Sequence, residues 1–250
     1  MPQGTSASGI YHVVAQGLDQ QVLFEERADF EKYLELLEYY KEVCGFSLYA
    51  YCLMSNHIHL LIRVGEEPLE QIFRRIHTRY AVWFNMKYSR TGHLFKNRFY
   101  SEPVEDERYF RTVVCYILQN PMKAGLEAYP GEKYFWTSYR DMQKKVPWLI
   151  DADLIIKTFG GSEPCRKALE ENVTEECLEA RGSRYRLPDD VAREVMRKIT
   201  SCENATQFQR LSLSERNRNI KLLREAGLSV RQINRLTGVA KGVIERQCKM

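Results

Sequence analysis

The sequence predicts an α+β fold: a ferredoxin-like antiparallel sheet with helices on one face, followed by a small all-α helix-turn-helix domain. The order strand, helix, strand, strand, helix, strand in the first 145 residues indicates the sheet. The second observation is a purely helical pattern beyond Pro188. A chain of 250 residues, 44% hydrophobic and 28% charged, can bury one sizeable core and a second small one. The expected domains are residues 1–145, a partly helical connector at 146–186, and the helical domain at 187–250.

Hydrophobic spacing assigns each element of the first domain. Period-two runs predict strands, and apolar residues at i, i+3, i+4 and i+7 predict helices. Gly45 ends the first helix, and Met54-Ser55-Asn56 joins two strands as a hairpin. Asp106 is a plausible N-cap for the third helix, and Pro121 closes it. The predicted elements are strand 10–15, helix 29–44, strands 46–53 and 58–64, a helix from 69 to the turn at 89–92, strand 94–104 and helix 106–119.

The net charge of +4 is unevenly distributed along the chain. Residues 1–180 carry 21 Lys and Arg against 26 Asp and Glu, whereas residues 181–250 carry 16 against 7. Residues 71–100 form a second basic stretch, with seven basic and eight aromatic side chains and no acid. Cations beside flat rings suit single-stranded nucleic acid, although an amphipathic helix with a solvated basic face explains the pattern equally well. The DNA-binding candidates in this stretch are Arg74, Arg75, Arg79, Lys96 and Arg98.

Several classes of protein are excluded by composition. There is no apolar run of membrane-spanning length and no basic-then-apolar start typical of a signal peptide, so a cytoplasmic location without a membrane partner is expected. Seven cysteines without a Cys-x-x-Cys pair fit neither a disulfide framework nor a zinc ribbon. They are interpreted as buried or incidental thiols.

Two groups of residues could carry chemistry. His57 and His59 alternate with Ile58 on a predicted strand, so both imidazoles face the same side as half of a metal site, or else satisfy backbone groups in a hairpin. On the third helix, Tyr116 and Asn120 are four residues apart and share an edge. A tyrosine needs a metal or a base nearby to attack phosphorus, and without one Tyr116 is a packed side chain. His12, His77 and His93 are expected to be structural or close to DNA.

Five strings in this order resemble the single-tyrosine transposases of the HUH endonuclease superfamily, especially the branch associated with repetitive extragenic palindromes. They span roughly residues 11–139. One departure lies after the first strand, where this chain has Gln16-Gly17 and relatives commonly have Arg-Gly. The strings are Tyr11-His-Val-Val, Ser55-Asn-His-Ile-His-Leu-Leu-Ile, Gly92-His-Leu-Phe-Lys-Asn-Arg-Phe, Tyr116-Ile-Leu-Gln-Asn-Pro-Met-Lys-Ala-Gly-Leu and Trp136-Thr-Ser-Tyr.

The resemblance implies an enzyme that cuts and rejoins single-stranded, hairpin-forming DNA through a 5′-phosphotyrosine. Tyr116 would be the nucleophile, and His57, His59 and Asn120 would bind Mg²⁺ or Mn²⁺. Gln119 is adjacent to Asn120 and leaves the third ligand open. A homodimer is also left open, as is whether Tyr116 acts in the site of its own subunit or that of a partner.

The basic C-terminal region predicts a DNA-binding module. Ser229 caps a helix over 230–236, Thr237-Gly238-Val239 forms a turn, and 240–247 is a second helix. This helix-turn-helix places Lys241 and Arg246 on the recognition helix, with Arg231 and Arg235 on the helix before it, for contact with duplex DNA. The alternative is a helical packing domain with solvated arginines.

Two other functions compete with the transposase interpretation. A DNA-binding regulator, or a domesticated transposase, would act through the helix-turn-helix without catalysis. A zinc-dependent hydrolase would use His57 and His59, but no Cys, Asp or Glu lies at a spacing that completes such a site.

Overall fold

A computed structural model describes residues 6–96, 98–144, 147–171, 177 and 189–248, without the side chains of residues 189 and 190. Its described residues divide into two compact units. The first holds the residues up to Leu23 and those from Ala28 to 177, and the second holds Phe24–Arg27 together with 189–248. No helix among the described residues is long and apolar enough to cross a membrane.

The first unit is built on a four-stranded antiparallel sheet in the order β2-β3-β1-β4. Its elements, in chain order, are β1 (Ile10–Gln16), a 3-10 helix (Leu18–Gln20), α1 (Arg27–Cys44), β2 (Ser47–Met54), β3 (His57–Arg63), α2 (Leu69–Lys87), β4 (Tyr100–Pro103), α3 (Glu107–Leu118), α4 (Asn120–Lys123), α5 (Tyr139–Met142), α6 (Ala152–Phe159) and α7 (Ser162–Glu170). The predicted α+β class with an antiparallel sheet is confirmed. Helices α6 and α7 lie in the stretch predicted as a connector and belong to this unit.

Burial of the sheet shows how the helices cover it. Nearly every residue of β1, β2 and β3 is buried, so both faces are covered rather than the one face that was predicted. Tyr116 on α3 packs against His12 and His59, which places this helix on the face that carries those histidines. The sequence agrees with this burial, because strands that are buried on both faces contain continuous hydrophobic stretches rather than alternating apolar and polar residues.

The strand predicted over residues 94–104 is shorter in the structure. Only Tyr100–Pro103 pairs with β1, and Phe95 forms a single isolated bridge to Gly17. Between them, Phe99 is buried against Phe73 of α2, with ring centroids 4.6 Å apart. This aromatic contact takes the chain out of the ladder, and period-two spacing alone does not reveal it.

The second unit is a bundle of five short helices: α8 (Asp189–Thr200), α9 (Ala205–Gln209), α10 (Leu213–Glu225), α11 (Val230–Thr237) and α12 (Lys241–Cys248). Its core is formed by buried apolar residues that include Phe208, Leu223 and Ile244. Ser229 and Gln232 form a capping box at the start of α11. Gly238 ends α11 with a φ of +70°, which a residue with a side chain rarely adopts.

The N-cap of α3 gives the first testable prediction. Asp106 accepts a hydrogen bond of 2.7 Å from the Tyr109 amide, which satisfies one free N–H of the helix that carries Tyr116. We expect Asp106→Ala to lower the free energy of unfolding by about 1 kcal/mol, measured by urea denaturation. The control is Glu107→Ala, which removes an exposed side chain 3.9 Å from Arg111 and should cost at most about 0.5 kcal/mol. Equal losses in the two variants would contradict the capping role.

Candidate active site

Strand β3 brings the two predicted histidines together. His57 and His59 lie on one face of the strand with ring centroids 5.1 Å apart, and both are almost completely buried. The His57 Nδ1 atom is 2.8 Å from Oδ1 of Asn56, in the turn that joins β2 to β3. The Nδ1 proton therefore goes to Asn56, and Nε2 is the nitrogen with a lone pair for a ligand.

A third histidine belongs to the same cluster. His12 Nε2 lies 3.2 Å from His59 Nδ1, and the two rings stack with centroids 5.4 Å apart. The register of β1 on β3 pairs Val14 with His59, so His12, two residues earlier on β1, is a diagonal neighbour on the same face. His12 was expected to be structural or close to DNA. Its place in the site follows from a strand register that the sequence does not state.

Helix α3 presents Tyr116 to this cluster within one chain. The tyrosine ring lies edge-on to the rings of His12 and His59, at centroid distances of 5.8 Å and 5.6 Å. Tyr116 is 3% exposed. Lys123 of α4 places its ammonium group 4.0 Å from the ring centroid of Tyr116. Sequence reasoning missed Lys123, although its spacing of seven residues from Tyr116 is two helical turns.

The two amides after α3 point to different surroundings. Asn120 donates from Nδ2 to the Tyr116 carbonyl at 3.0 Å, and its side chain also hydrogen-bonds to His57. Gln119 instead donates from Nε2 to the Leu169 carbonyl of α7 at 2.9 Å. Asn120 is thus part of the cluster, whereas Gln119 ties α3 to α7.

Burial keeps the imidazoles uncharged. It lowers the pKa of His12 to about 3 and the pKa of His57 to about 4, although the hydrogen bond that the His57 ring donates to the Asn120 side chain opposes the shift of His57. The pKa of His59 falls well below its ordinary value, first through burial and then through His57, His12 and the charge of Lys123. Neutral imidazole is the form that binds a metal ion. Within the part of the chain that the structure describes, no group of three or more His, Cys, Asp or Glu side chains is arranged to hold a metal.

The DNA-binding candidates of residues 71–100 separate into different environments. Arg74 and Arg98 line one cavity, and Lys96 donates its amide to the Gln16 carbonyl at 2.7 Å. Arg75 pairs with Glu67 at 2.7 Å. Arg79 lines a separate depression together with Glu35, Glu38 and Glu42.

The basic candidates of the second unit separate in the same way. Arg231 Nη1 lies 3.4 Å from a carboxylate oxygen of Glu25, and Arg235 donates to the Glu25 carbonyl at 3.0 Å. Lys241 and Arg246 are exposed on α12. The remaining two histidines lie outside the cluster: His77 stacks on Phe95, and His93 is exposed.

A known family model matches part of the first unit. Residues 5–120 match the model described as "Transposase IS200 like". This segment is similar to an IS200-like transposase domain. The matched range contains the three clustered histidines, Tyr116 and Asn120, whereas Lys123 lies just beyond its end.

One curated relative and two solved structures are also similar to this chain. The chain is 26% identical over 136 residues to a Haemophilus influenzae protein that carries the provisional name REP-associated tyrosine transposase, covering 47% of this chain and 77% of the relative. Two solved structures are similar at 15% identity. One, a REP-associated tyrosine transposase bound to a REP hairpin, gives a TM-score of 0.49 over 61% of this chain and 93% of its own. The other, which carries the provisional name of a transposase from Deinococcus radiodurans, gives a TM-score of 0.34 and covers 44% of this chain and 90% of its own chain.

Proposed function

We propose that the transposase domain cleaves and rejoins single-stranded DNA through a covalent bond between Tyr116 and a 5′ phosphate. The observation that carries the proposal is the packing of Tyr116 against two neutral histidines of its own chain, at ring distances of 5.6 Å and 5.8 Å. A tyrosine beside a possible metal site is the arrangement that an attack on phosphorus requires. The match of residues 5–120 to the IS200-like transposase model supports DNA as the substrate class.

The site fits a divalent metal ion in its donor chemistry. His57 and His59 would supply two neutral nitrogens, and Asn120, which hydrogen-bonds to His57, would supply an amide oxygen. A mixed nitrogen and oxygen set suits Mn²⁺, and Mg²⁺ where water completes the shell. When bound, such an ion would withdraw charge from the phosphoryl group and orient it.

The chain's own residues define the covalent step. The Tyr116 oxygen forms a bond to phosphorus, the bond from phosphorus to the 3′ oxygen breaks, and the proton lost by the phenol is balanced by the one that the 3′ hydroxyl gains. Lys123, with its ammonium group 4.0 Å from the ring centroid, stabilises the phenolate that attacks. Because the phosphotyrosine keeps the ester, transfer to another 3′ hydroxyl needs no ATP.

His12 acts as a positioning residue in this proposal. Its Nε2 atom lies 3.2 Å from His59 Nδ1, so the hydrogen bond holds the His59 ring and leaves His59 Nε2 as the nitrogen that binds a ligand. A partner of this kind fixes ring orientation without touching the substrate.

Hairpin-forming single strands are the proposed DNA. The curated relative is named for repetitive extragenic palindromes, whose inverted sequence allows a single strand to fold back on itself. Within residues 71–100, the exposed Arg74 and Arg98 would supply cations for phosphates, and neighbouring aromatic side chains would supply rings for unpaired bases.

The helical unit supports a second candidate function, binding of duplex DNA. Lys241 and Arg246 are exposed on α12, the second helix of a helix-turn-helix whose turn is held by a hydrogen bond of 2.8 Å from Asn234 to the Val239 carbonyl. A regulator that works through α12 alone would need this surface but not Tyr116.

Tyr116 gives the second prediction. With a hairpin oligonucleotide and Mn²⁺, we expect the protein to form a covalent DNA adduct that survives a denaturing gel, and Tyr116→Phe to form none, because the attacking oxygen is gone. The matched control is Tyr109→Phe, which removes a hydroxyl from the same helix and its 2.6 Å hydrogen bond to Glu102 but should keep the adduct. An adduct in Tyr116→Phe, or none with any hairpin in a broad library, would refute the proposal.

The ligand assignment gives the third prediction. Asn120→Ala should raise the Mn²⁺ concentration for half-maximal adduct formation by roughly tenfold or more, because one ligand is lost. Gln119→Ala should leave that concentration unchanged and lower the free energy of unfolding by about 1 kcal/mol, since its hydrogen bond joins α3 to α7. The reverse pattern would make Gln119 the ligand. Chelation of the metal should abolish the adduct in every variant.

The helical unit gives the fourth prediction. The double variant Lys241→Gln, Arg246→Gln should weaken duplex DNA binding and reduce the slope of log affinity against log salt by about 2, since two phosphate contacts are lost. The matched control is Arg231→Gln, Arg235→Gln, whose side chains bind Glu25 and should be less important for DNA. Stronger loss in the control pair would move the DNA-binding surface to α11.

A further inference from the structure

A cavity of about 650 Å³ runs along α2, and none of its lining residues belongs to the histidine and tyrosine cluster. Its wall includes Phe73, Phe95 and Phe99, and Arg74 and Arg98 lie at its exposed rim. The volume is within the range of about 300 to 1,000 Å³ that holds small organic ligands. An aromatic wall below two guanidinium groups suits a flat ligand that carries negative charge nearby.

The aromatic wall already contains a stack of flat rings. His77 and Phe95 are parallel, with an interplanar angle of 12° and ring centroids 3.9 Å apart, and both are partly exposed. His77 Nε2 lies 3.3 Å from the Tyr33 hydroxyl, which helps to hold its ring in place. Burial lowers the pKa of His77 to about 3, so this ring is neutral and favours stacking rather than ion pairing.

The charges around α2 favour this side of the helix for phosphate. Neither Arg74 nor Arg98 forms an ion pair with a described residue, and Glu70 is the carboxylate among the cavity lining. Arg75 is neutralised by Glu67, and Lys87 pairs with the buried Asp29. Arg74 and Arg98 are therefore cations at the cavity rim that pair with no carboxylate among the described residues.

We propose that this cavity receives an unpaired base of single-stranded DNA, which stacks on the aromatic wall while Arg74 and Arg98 bind the flanking phosphates. The inference rests on the proposed function in one respect, that single-stranded DNA is the ligand. Stacking on aromatic rings accepts any base, so the cavity would retain a strand without reading its sequence.

The backbone links the cavity to the catalytic cluster. Phe95 bridges to Gly17, the Lys96 amide donates to the Gln16 carbonyl at 2.7 Å, and Gln16 pairs with His57 across β1 and β3. The Phe95 backbone therefore lies two strand spacings from the His57 backbone, a distance of roughly 10 Å. A base held in the cavity would thus belong to DNA that runs close to the cleaved phosphate.

The test measures binding without cleavage, in the full-length Tyr116→Phe protein. The probe is a fluorescent hairpin oligonucleotide with unpaired arms of mixed sequence, and a series in which one arm nucleotide at a time is made abasic. We expect one position at which the lost base weakens binding roughly 5- to 100-fold. Ala81→Leu, which fills the cavity from α2, should weaken binding of the intact probe similarly and remove the dependence on that position. If Ala81→Leu fails to fold, Thr78→Leu, from an exposed position of the same lining, replaces it.

A matched pair of charge variants tests the phosphate contacts. Arg74→Gln should weaken binding and reduce the salt slope by about 0.7, whereas Arg79→Gln, on the same helix but beside Glu35 and Glu38, should change neither. The inference would be overturned if no abasic position weakened binding, or if the Ala81→Leu variant showed the same dependence on abasic position as the protein without this substitution. If the unsubstituted protein forms a covalent adduct but the Ala81→Leu variant binds the probe normally, the cavity inference alone is wrong. If the unsubstituted protein forms no adduct, but the Ala81→Leu substitution removes the sensitivity to one abasic position, the cavity binds DNA and the cleavage proposal is wrong.

Discussion

The antiparallel register between β1 and β3 is the constraint on which the candidate site depends. It pairs Gln16 with His57 and Val14 with His59, and thereby places His12 beside His59 on the same face. A slip of one residue would turn His12 of β1 away from the histidines of β3, because side chains alternate between faces. The end of β1 is fixed by Gly17, whose amide donates to the Asn56 carbonyl at 2.9 Å. A Cβ atom at Gly17 would lie 2.1 Å from the Gln21 carbonyl oxygen, so only glycine lets the chain fold back here.

Burial then determines the electrostatics of the cluster. Three imidazoles with almost no exposure are stable only in the neutral form, and the lowered pKa values of His12 and His57 express this cost of charging. The His12 Nδ1 atom is buried without a hydrogen-bond partner among the described residues, which costs about 1 to 3 kcal/mol. Lys123 adds a positive charge over Tyr116. The site therefore combines neutral nitrogen donors on the strands with one cation over the ring of Tyr116.

Much of the fold of both units could be predicted because local patterns determine it. The helix with Asp106 as N-cap, the hairpin at Ser55-Asn56 and the helix-turn-helix after Ser229 all form where capping and turn residues predict them. His12 and Lys123 were missed for different reasons. His12 joins the cluster through pairing between strands distant in sequence, whereas Lys123 joins it because α4 continues on from α3 after Gln119. The contrast between Gln119 and Asn120 depends on α7, about fifty residues further on, and no local pattern contains it.

The number of basic residues in 71–100 overestimates how many cations are available to bind phosphate, and helix geometry explains the difference. At about 100° per residue, Arg75 and Arg79 lie within roughly 40° of each other, whereas each is about 100° or more from Arg74. The first two face glutamates of neighbouring segments, and Arg74 faces the aromatic cavity. A stretch without acids in the sequence can therefore lie beside acids in the fold, since residues on α1 and in the turn before α2 supply them. The angular position on α2, rather than the number of arginines, decides which cations are available to a phosphate.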